Sequence, residues 1–269
     1  MSDTLTIKPF DAARIKIERS KHHLRELQSE IDAYFQRDGA AVVFEIAQEM
    51  NTGFGATGAF TYREKEPIPH GWSAIIGDVL HNLRSSLDLA ACDIHRITGG
   101  RPKDISAVHY PFCKDKSDLA RTIKERRLGH IGPEFTEAIR MTAPYKGGNE
   151  GLRAIHDLNI LDKHQALVPT VNVVSMDWPV PIREGSQKFV TGNLKDGFRI
   201  MLFPRAYCKA PLGSKIKADI SIIFGNVGTF KFVPIVKQLE RCIGSVEGIL
   251  GLFQSIADKK SISGVATTQ

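Results

Sequence analysis

Apolar residues recur at helical spacing in three long stretches of the chain. Residues 11–37 carry a broken apolar stripe, and residues 72–95 have the clearest helical pattern, which closes at the stop signal Thr98-Gly99-Gly100. The third stretch follows Pro234, a residue that suits the first turn of a helix. The pattern therefore predicts helices over 11–37, 72–95 and 233–257, with shorter ones near 116–127, 133–141 and 149–165.

Alternation of apolar and polar residues, which is typical of strands, occupies the remaining parts of the chain. AVVFEIA (41–47) and the run from Phe60 to Tyr62 predict a hairpin, and LVPTVNVV (167–174) begins a region of short alternating bursts. We therefore predict an α+β fold with a helical core, an antiparallel β-sheet region and a C-terminal amphipathic helix. Because no internal repeat or low-complexity linker interrupts the chain, we expect residues 1–269 to form a single domain, with a helical region 70–165, a β-rich region 166–231 and the C-terminal helix 233–257.

Composition indicates an ordinary globular protein. Hydrophobic residues make up 42% and charged residues 25% of the chain, and the apolar runs are far shorter than the ~20 residues of a membrane-spanning helix. The N-terminus has no apolar segment of the kind found in secretory signals. We therefore expect no membrane partner. The four cysteines are widely spaced, at Cys92, Cys113, Cys208 and Cys242, and this spacing suits reduced thiols in a cytoplasmic protein.

Charge and glycine patterns limit the classes of ligand. A net charge of +6 permits an anionic partner, although the one clear basic run, RTIKERR (121–127), is of a kind that usually forms a solvated helix face. GFGATG (53–58) matches the glycine pattern of dinucleotide-binding loops. That fingerprint needs a helix directly after it, whereas a strand and prolines follow here, so a hairpin tip is predicted and no cofactor is expected.

Polar side chains form a band along the predicted helix 72–95, beside its apolar face. The band contains Arg84 and Asp88, which are spaced to form an ion pair one helical turn apart. A solvated helix face or a structural network would show the same band, so these alternatives stay open. The other members of the band are His81, Ser85, Cys92 and His95.

A second polar cluster lies on the predicted helix 149–165, where Arg153, Asp157 and His164 share one side. If this helix packs antiparallel to the first one, the two polar borders face each other around a pocket. Such a set can stabilise a phosphate or an oxyanion while a histidine moves protons, although local capping explains the same residues. A metal-dependent hydrolase is a further alternative, but no compact ligand spacing is present and no metal ligand is assigned. The candidate catalytic residues are Arg84, Asp88, His81, His164 and Asp157.

The stretch GDVLHNLRSSLDLAACDIHR (77–96) resembles a group of uncharacterised bacterial proteins with a G-D-x-x-H-N-L-R-S-x-L-D signature. LDKH (161–164) resembles a second signature of that group. More distantly, the arrangement is similar to HEPN domains, which are helical modules of defence and toxin systems, and many of which are metal-independent ribonucleases. The resemblance implies an HEPN-like RNA-binding or ribonuclease-like protein that acts as a homodimer.

The active motif of HEPN domains is an arginine followed by four to six residues and then a histidine. Arg84 matches the arginine, but residues 89 to 91 are Leu, Ala and Ala, so a histidine would have to come from elsewhere in the fold. A non-catalytic binding module for a small anionic ligand or a helical partner is the alternative function. The histidines considered as spatial substitutes are His81, His95 and His164.

Overall fold

A computed structural model of the chain describes residues 8–36, 42–48, 57–164, 167, 169–176, 194–216, 218–224 and 233–265. Within these ranges the chain combines α-helices with two small antiparallel β-sheets. The predicted α+β class, with its C-terminal amphipathic helix, is therefore confirmed. The same ranges contain no helix with both the length and the apolar character needed to cross a membrane.

The described elements follow the predicted order. The helices are α1 (Asp11–Gln36), α2 (Gly71–Ile97), α3 (Leu119–Glu125), α4 (Gly132–Thr142), α5 (Glu150–Asp162) and α6 (Ile235–Val265). The strands are β1 (Val42–Gln48), β2 (Thr57–Glu64), β3 (Pro169–Met176), β4 (Arg199–Pro204), β5 (Lys215–Ile216) and β6 (Ala218–Phe224). Short 3-10 helices occupy Pro102–Ala107 and Arg205–Tyr207. The C-terminal helix is longer than predicted, since it continues to Val265 rather than ending at residue 257.

The chain divides into two compact units. One comprises Met1–Arg25, Ala74–Leu167 and Gln238–Gln269, and the other comprises Glu26–Ser73 and Val168–Lys237. All the described strands fall in the second unit, whereas α3, α4 and α5 lie wholly in the first. The expectation of a single domain stays a prediction.

The β-rich unit contains a four-stranded sheet in the order β4-β2-β1-β5 and a separate β3–β6 pair, all antiparallel. β1 and β2 pair from Val42 opposite Glu64 to Gln48 opposite Gly58, which confirms the predicted hairpin. Its tip, which holds most of the GFGATG segment, lies outside the described residues. Phe60 and Phe203 pack on one face of the sheet with their ring centroids 4.6 Å apart.

The helical unit is built around α2, which buries the apolar face that its sequence pattern predicts. The helix ends where Gly99 adopts a φ of +82°, a left-handed conformation that favours glycine. The Gly100 N–H donates to the carbonyl of His95 at 2.7 Å, so the last turn is closed by the backbone. The buried residues of the apolar face are Ile76, Val79, Leu80, Leu83, Leu87, Ala90, Ala91 and Ile94.

α5 packs antiparallel to α2 within this unit. Gly77, near the start of α2, lies so close to the end of α5 that a Cβ atom on it would be 2.7 Å from Asp162 Cγ. Further along α2, Arg84 lies within electrostatic range of His156, which is earlier on α5. The antiparallel arrangement therefore brings polar residues of the two helices towards each other.

Candidate functional site

The predicted ion pair between Arg84 and Asp88 forms on α2. Arg84 Nη1 donates to Asp88 Oδ1, and the two side chains are only 13% and 27% exposed. Asp88 Oδ1 also accepts a hydrogen bond of 2.8 Å from the backbone N–H of Tyr110, in the segment that precedes α3. The carboxylate therefore fixes both the arginine and a neighbouring stretch of backbone.

Phe112 from that same segment covers the guanidinium of Arg84. The Cζ atom of Arg84 lies 4.6 Å from the centroid of the Phe112 ring, a cation–π geometry. Burial lowers the pKa of Arg84, and the charge of Asp88 and its hydrogen bond oppose that shift. An arginine keeps its charge under such conditions, so the site holds a cation that is largely removed from water.

α5 contributes a histidine that packs on the same aromatic ring. Asn149 caps the start of this helix by accepting from the Leu152 N–H at 3.0 Å. The imidazole of His156 stacks on Phe112, with 4.7 Å between ring centroids and 14° between ring planes. Burial, and then the charges of Arg84 and Arg153, lowers the pKa of His156 to about 4. The imidazole is therefore neutral at pH 7.

The Nδ1 atom of His156 is buried, and no described residue is in hydrogen-bonding position to it. A buried polar atom without a partner destabilises a fold by about 1–3 kcal/mol. A histidine with a purely structural role is usually satisfied by its neighbours. A purely structural role for His156 therefore leaves its unpaired Nδ1 atom unexplained.

Arg153 supplies a second fixed cation on α5. Its Nε and Nη2 atoms donate to the two carboxylate oxygens of Asp157 at 3.1 and 2.7 Å. This ion pair joins two residues that the sequence spacing puts on one side of the helix. The Nη1 atom of Arg153 donates to the carbonyl of Cys113 at 2.7 Å. The side chain is 18% exposed, so this guanidinium is held in place but still reaches solvent.

His109 approaches the other oxygen of the Asp88 carboxylate. Its Nδ1 atom lies 3.7 Å from Asp88 Oδ2, within ion-pair range, and its side chain is 43% exposed. One histidine therefore lies next to Asp88, and the other, half-buried, stacks on the ring that covers Arg84. We call this set the Arg84–His156 cluster; its members are Arg84, Asp88, His109, Phe112, Arg153, His156 and Asp157.

None of the three histidines considered as partners of Arg84 is a member of this cluster. His81 is exposed, and its Nε2 atom lies 3.4 Å from Ser85 Oγ. Burial, and then the charge of Asp78, raises the pKa of Asp162, and His81 opposes this rise. His164 is exposed just beyond the end of α5. Of the five candidate catalytic residues, the structure brings Arg84, Asp88 and Asp157 into the cluster.

His95, which was considered as a substitute for the missing histidine, is buried in a structural environment. It is 2% exposed, and its Nδ1 and Nε2 atoms lie 3.0 and 3.1 Å from the carbonyl oxygens of Arg127 and Arg101. Its ring also packs edge-on against His130, with centroids 4.7 Å apart. The helical wheel placed it beside the apolar face, but the loops after α2 and α3 cover it.

His156 and His109 were both missed by the sequence analysis, for different reasons. Arg153 and His156 are three residues apart on α5, and this spacing also puts side chains next to each other on a helix. The sequence therefore contained a signal for His156. His109 lies in a segment without regular secondary structure, where no periodicity predicts which way a side chain points.

The basic run RTIKERR is partly neutralised by its own surroundings. Arg121 pairs with Asp118 at 2.7 Å and with Glu125 at 2.8 Å. These contacts are typical of a solvated helix face.

The part of the chain that the structure describes has no group of three or more His, Cys, Asp or Glu side chains placed to hold a metal ion.

In comparisons with protein-family models, curated proteins and solved structures, nothing matches this chain. The resemblances drawn from the sequence motifs therefore stay predictions. The side chains of the Arg84–His156 cluster carry the functional argument instead.

Proposed function

We propose that this chain is an HEPN-like RNA-binding protein that cleaves RNA without a metal ion, as part of a defence or toxin system, and that the Arg84–His156 cluster is its site. The observation that carries the proposal is the stacking of the His156 imidazole on Phe112, the ring that also covers the Arg84 guanidinium, with Arg84 and Arg153 as nearby positive charges. In this proposal His156 takes the role of the histidine that is missing after Arg84.

The proposed reaction uses the 2′-hydroxyl of RNA as the nucleophile. The 2′-oxygen forms a bond to the adjacent phosphorus while the bond from phosphorus to the 5′-oxygen breaks, and the 2′-hydroxyl proton passes to His156. The leaving 5′-oxygen takes up a proton, so the products are a 2′,3′-cyclic phosphate and a 5′-hydroxyl. Arg84 and Arg153 stabilise the negative charge that grows on the phosphate oxygens.

RNA binding itself would make His156 a better base. At a pKa of about 4 the imidazole is available at pH 7 but only weakly basic. The charges of Arg84 and Arg153 contribute to that low pKa, so a phosphate bound beside them offsets part of their effect. We expect the pKa of His156, followed by NMR, to rise when an RNA dinucleotide with a 2′-deoxy block at the cleavage position binds.

The alternative function, a non-catalytic module for a small anionic ligand or a helical partner, has one observation in its favour. Arg84 and Arg153 each already have a carboxylate partner, in Asp88 and Asp157. The same residues also hold the segment before α3, because Asp88 accepts from the Tyr110 N–H and Arg153 donates to the Cys113 carbonyl, so they have a structural role as well. A melting-temperature screen with nucleotides and phosphorylated metabolites tests this alternative, because a ligand that binds the native state raises its stability.

The decisive experiment incubates the purified protein with mixed-sequence single-stranded RNA in the presence of EDTA. We expect fragments that end in 2′,3′-cyclic phosphate, and no cleavage of the matching DNA, which lacks the nucleophile. His156→Gln should slow cleavage by roughly a hundredfold or more. His22→Gln, a change at an exposed histidine of α1, is the matched control and should cleave at the wild-type rate.

Each outcome of this experiment separates the two functions. If the wild-type protein neither cleaves RNA nor binds it in a salt-sensitive way, the proposal is wrong. Salt-sensitive binding without cleavage leaves an RNA-binding protein and removes the ribonuclease activity. Light scattering on the same sample tests the homodimer that the HEPN-like resemblance implies.

A further inference from the structure

We infer that His109 is the group that protonates the leaving 5′-oxygen, so that cleavage at this site uses two histidines with complementary roles. The inference rests on the proposed ribonuclease function. It adds an acid to a scheme in which His156 supplies only the base.

The backbone on both sides of His109 is firmly held, while its ring is open. Val108 and Tyr110 are 2% and 1% exposed, and the Tyr110 hydroxyl is within 2.6 Å of Thr142 Oγ1 on α4. The Tyr110 N–H is bound to Asp88 on α2. A partly exposed imidazole on such an anchored segment is positioned in advance for a substrate, since little ordering is needed on binding.

Asp88 uses its two oxygens for different neighbours. Oδ1 holds Arg84 and the Tyr110 N–H, and Oδ2 faces Nδ1 of His109 at 3.7 Å. A carboxylate on the Nδ1 side orients an imidazole and leaves Nε2 for the substrate. Asp88 therefore lies between the proposed acid and Arg84, with one carboxylate oxygen towards each of them.

The two proton transfers balance. The electron pair of the breaking bond goes to the 5′-oxygen, and the proton from His109 Nε2 neutralises it as the 5′-hydroxyl leaves. The proton of the 2′-hydroxyl goes to His156. His156 thus ends the step with one proton more and His109 with one proton fewer, and proton exchange with water restores both.

The test compares two RNA substrates that differ in one atom. Both contain the same linkage, chosen from those that the wild-type protein cleaves, but in one of them sulfur replaces the bridging 5′-oxygen. A thiolate leaves without being protonated, so the sulfur substrate does not need an acid. The proteins compared are the wild type, His109→Gln, His156→Gln and the control His22→Gln, each checked by its melting temperature for an intact fold.

We expect His109→Gln to lose roughly a hundredfold or more in rate on the oxygen substrate and to recover to within about tenfold of the wild type on the sulfur substrate. His156→Gln should be slow on both substrates, because the nucleophile still needs a base. If His109→Gln is equally slow on both substrates, or as fast as the wild type on both, His109 is not the acid.

Failure of the inference is distinguishable from failure of the proposed function. If the wild-type protein cleaves neither substrate, the ribonuclease function is wrong and the assignment of His109 is wrong with it. If the wild type cleaves both and only the pattern of His109→Gln differs from the expected one, the inference alone is overturned.

Discussion

At the scale of single residues, burial changes what the spacing of Arg84 and Asp88 contributes. An exposed pair of this spacing stabilises a helix by about 0.3–0.5 kcal/mol. Here the two side chains are mostly covered, and Asp88 also holds the backbone of Tyr110. Removing one charge therefore leaves the other poorly solvated, and this loss exceeds the stabilisation that the pair itself provides.

Arg84→Met should lower the free energy of unfolding by about 2–4 kcal/mol at pH 7, measured by urea denaturation. The double variant R84M/D88N should regain about 1 kcal/mol or more, since asparagine removes the stranded charge and keeps an acceptor for Tyr110. Arg140→Met on α4 is the control, because Arg140 and its partner Glu137 are both exposed, at 54% and 63%. A loss for Arg84→Met as small as that of Arg140→Met, below about 1 kcal/mol, would show that the Arg84 pair is only a surface pair.

The low pKa of His156 makes stability depend on pH in a defined window. The unfolded chain takes up a proton at this position near pH 6.5, whereas the native state does so only near its pKa of about 4. Between these values the unfolded state binds more protons, so stability falls as the pH falls. His156→Gln lacks this contribution. The wild type should therefore lose more stability than His156→Gln between pH 7 and pH 5, and equal losses would contradict the assigned pKa.

At the scale of elements, the antiparallel packing of α2 and α5 places a carboxylate in an unfavourable position. Asp162 at the end of α5 lies against Gly77 of α2. Burial, and then the negative charge of Asp78, raises its pKa. The native state therefore favours the protonated form, and ionisation of Asp162 at neutral pH weakens the contact between the two helices.

Asp162→Asn should raise the melting temperature at pH 7, because asparagine keeps the shape and cannot ionise. For a carboxyl group with a raised pKa, the native state binds more protons than the unfolded state, so its contribution to stability is lost as the pH rises through the folded pKa. The gain from the substitution should accordingly disappear at about pH 3, where Asp162 is protonated in both states. Asp157→Asn on the same helix is the control; it loses the ion pair with Arg153 and should not raise the melting temperature.

At the scale of the whole molecule, the net charge of +6 is compatible with RNA, but its distribution decides where RNA binds. The basic run 121–127 is the densest group of cations in the sequence, yet Arg121 within it is shared by two carboxylates. Arg153 has one carboxylate partner and borders the proposed reaction site. We therefore expect the phosphate contact at Arg153 rather than at Arg121.

The salt dependence of RNA affinity tests this expectation. Each phosphate contact contributes about −0.7 to the slope of log K against log salt for a single strand. Arg153→Gln should reduce the magnitude of the slope by about that amount, while Arg121→Gln should leave it unchanged. The opposite pattern would place the RNA on the basic run instead of the Arg84–His156 cluster.

Features that depend on residues close together along the chain could be predicted from the sequence, whereas features that depend on distant segments could not. The apolar face of α2 and the β1–β2 hairpin were predictable because periodicity reports local geometry. The ion pairs of Arg84 and Arg153 were predictable for the same reason, since each joins residues one helical turn apart. The environments of His95 and His109 were not predictable from the sequence. His95 is buried by the loops after α2 and α3, and His109 lies in a segment without a periodic pattern.

The sequence by itself determined the order of helices and strands, the α+β class and the pairing of Arg84 with Asp88, all of which depend on residues close together along the chain. Only the tertiary structure decided which histidines join that pair. Phe112, in the segment before α3, stacks on His156 of α5, and the two are 44 residues apart in the sequence. His109, in the same segment, lies next to Asp88 of α2, and these two are 21 residues apart. Such contacts, and the burial that lowers the pKa of His156, arise when α5 and the segment before α3 pack against α2.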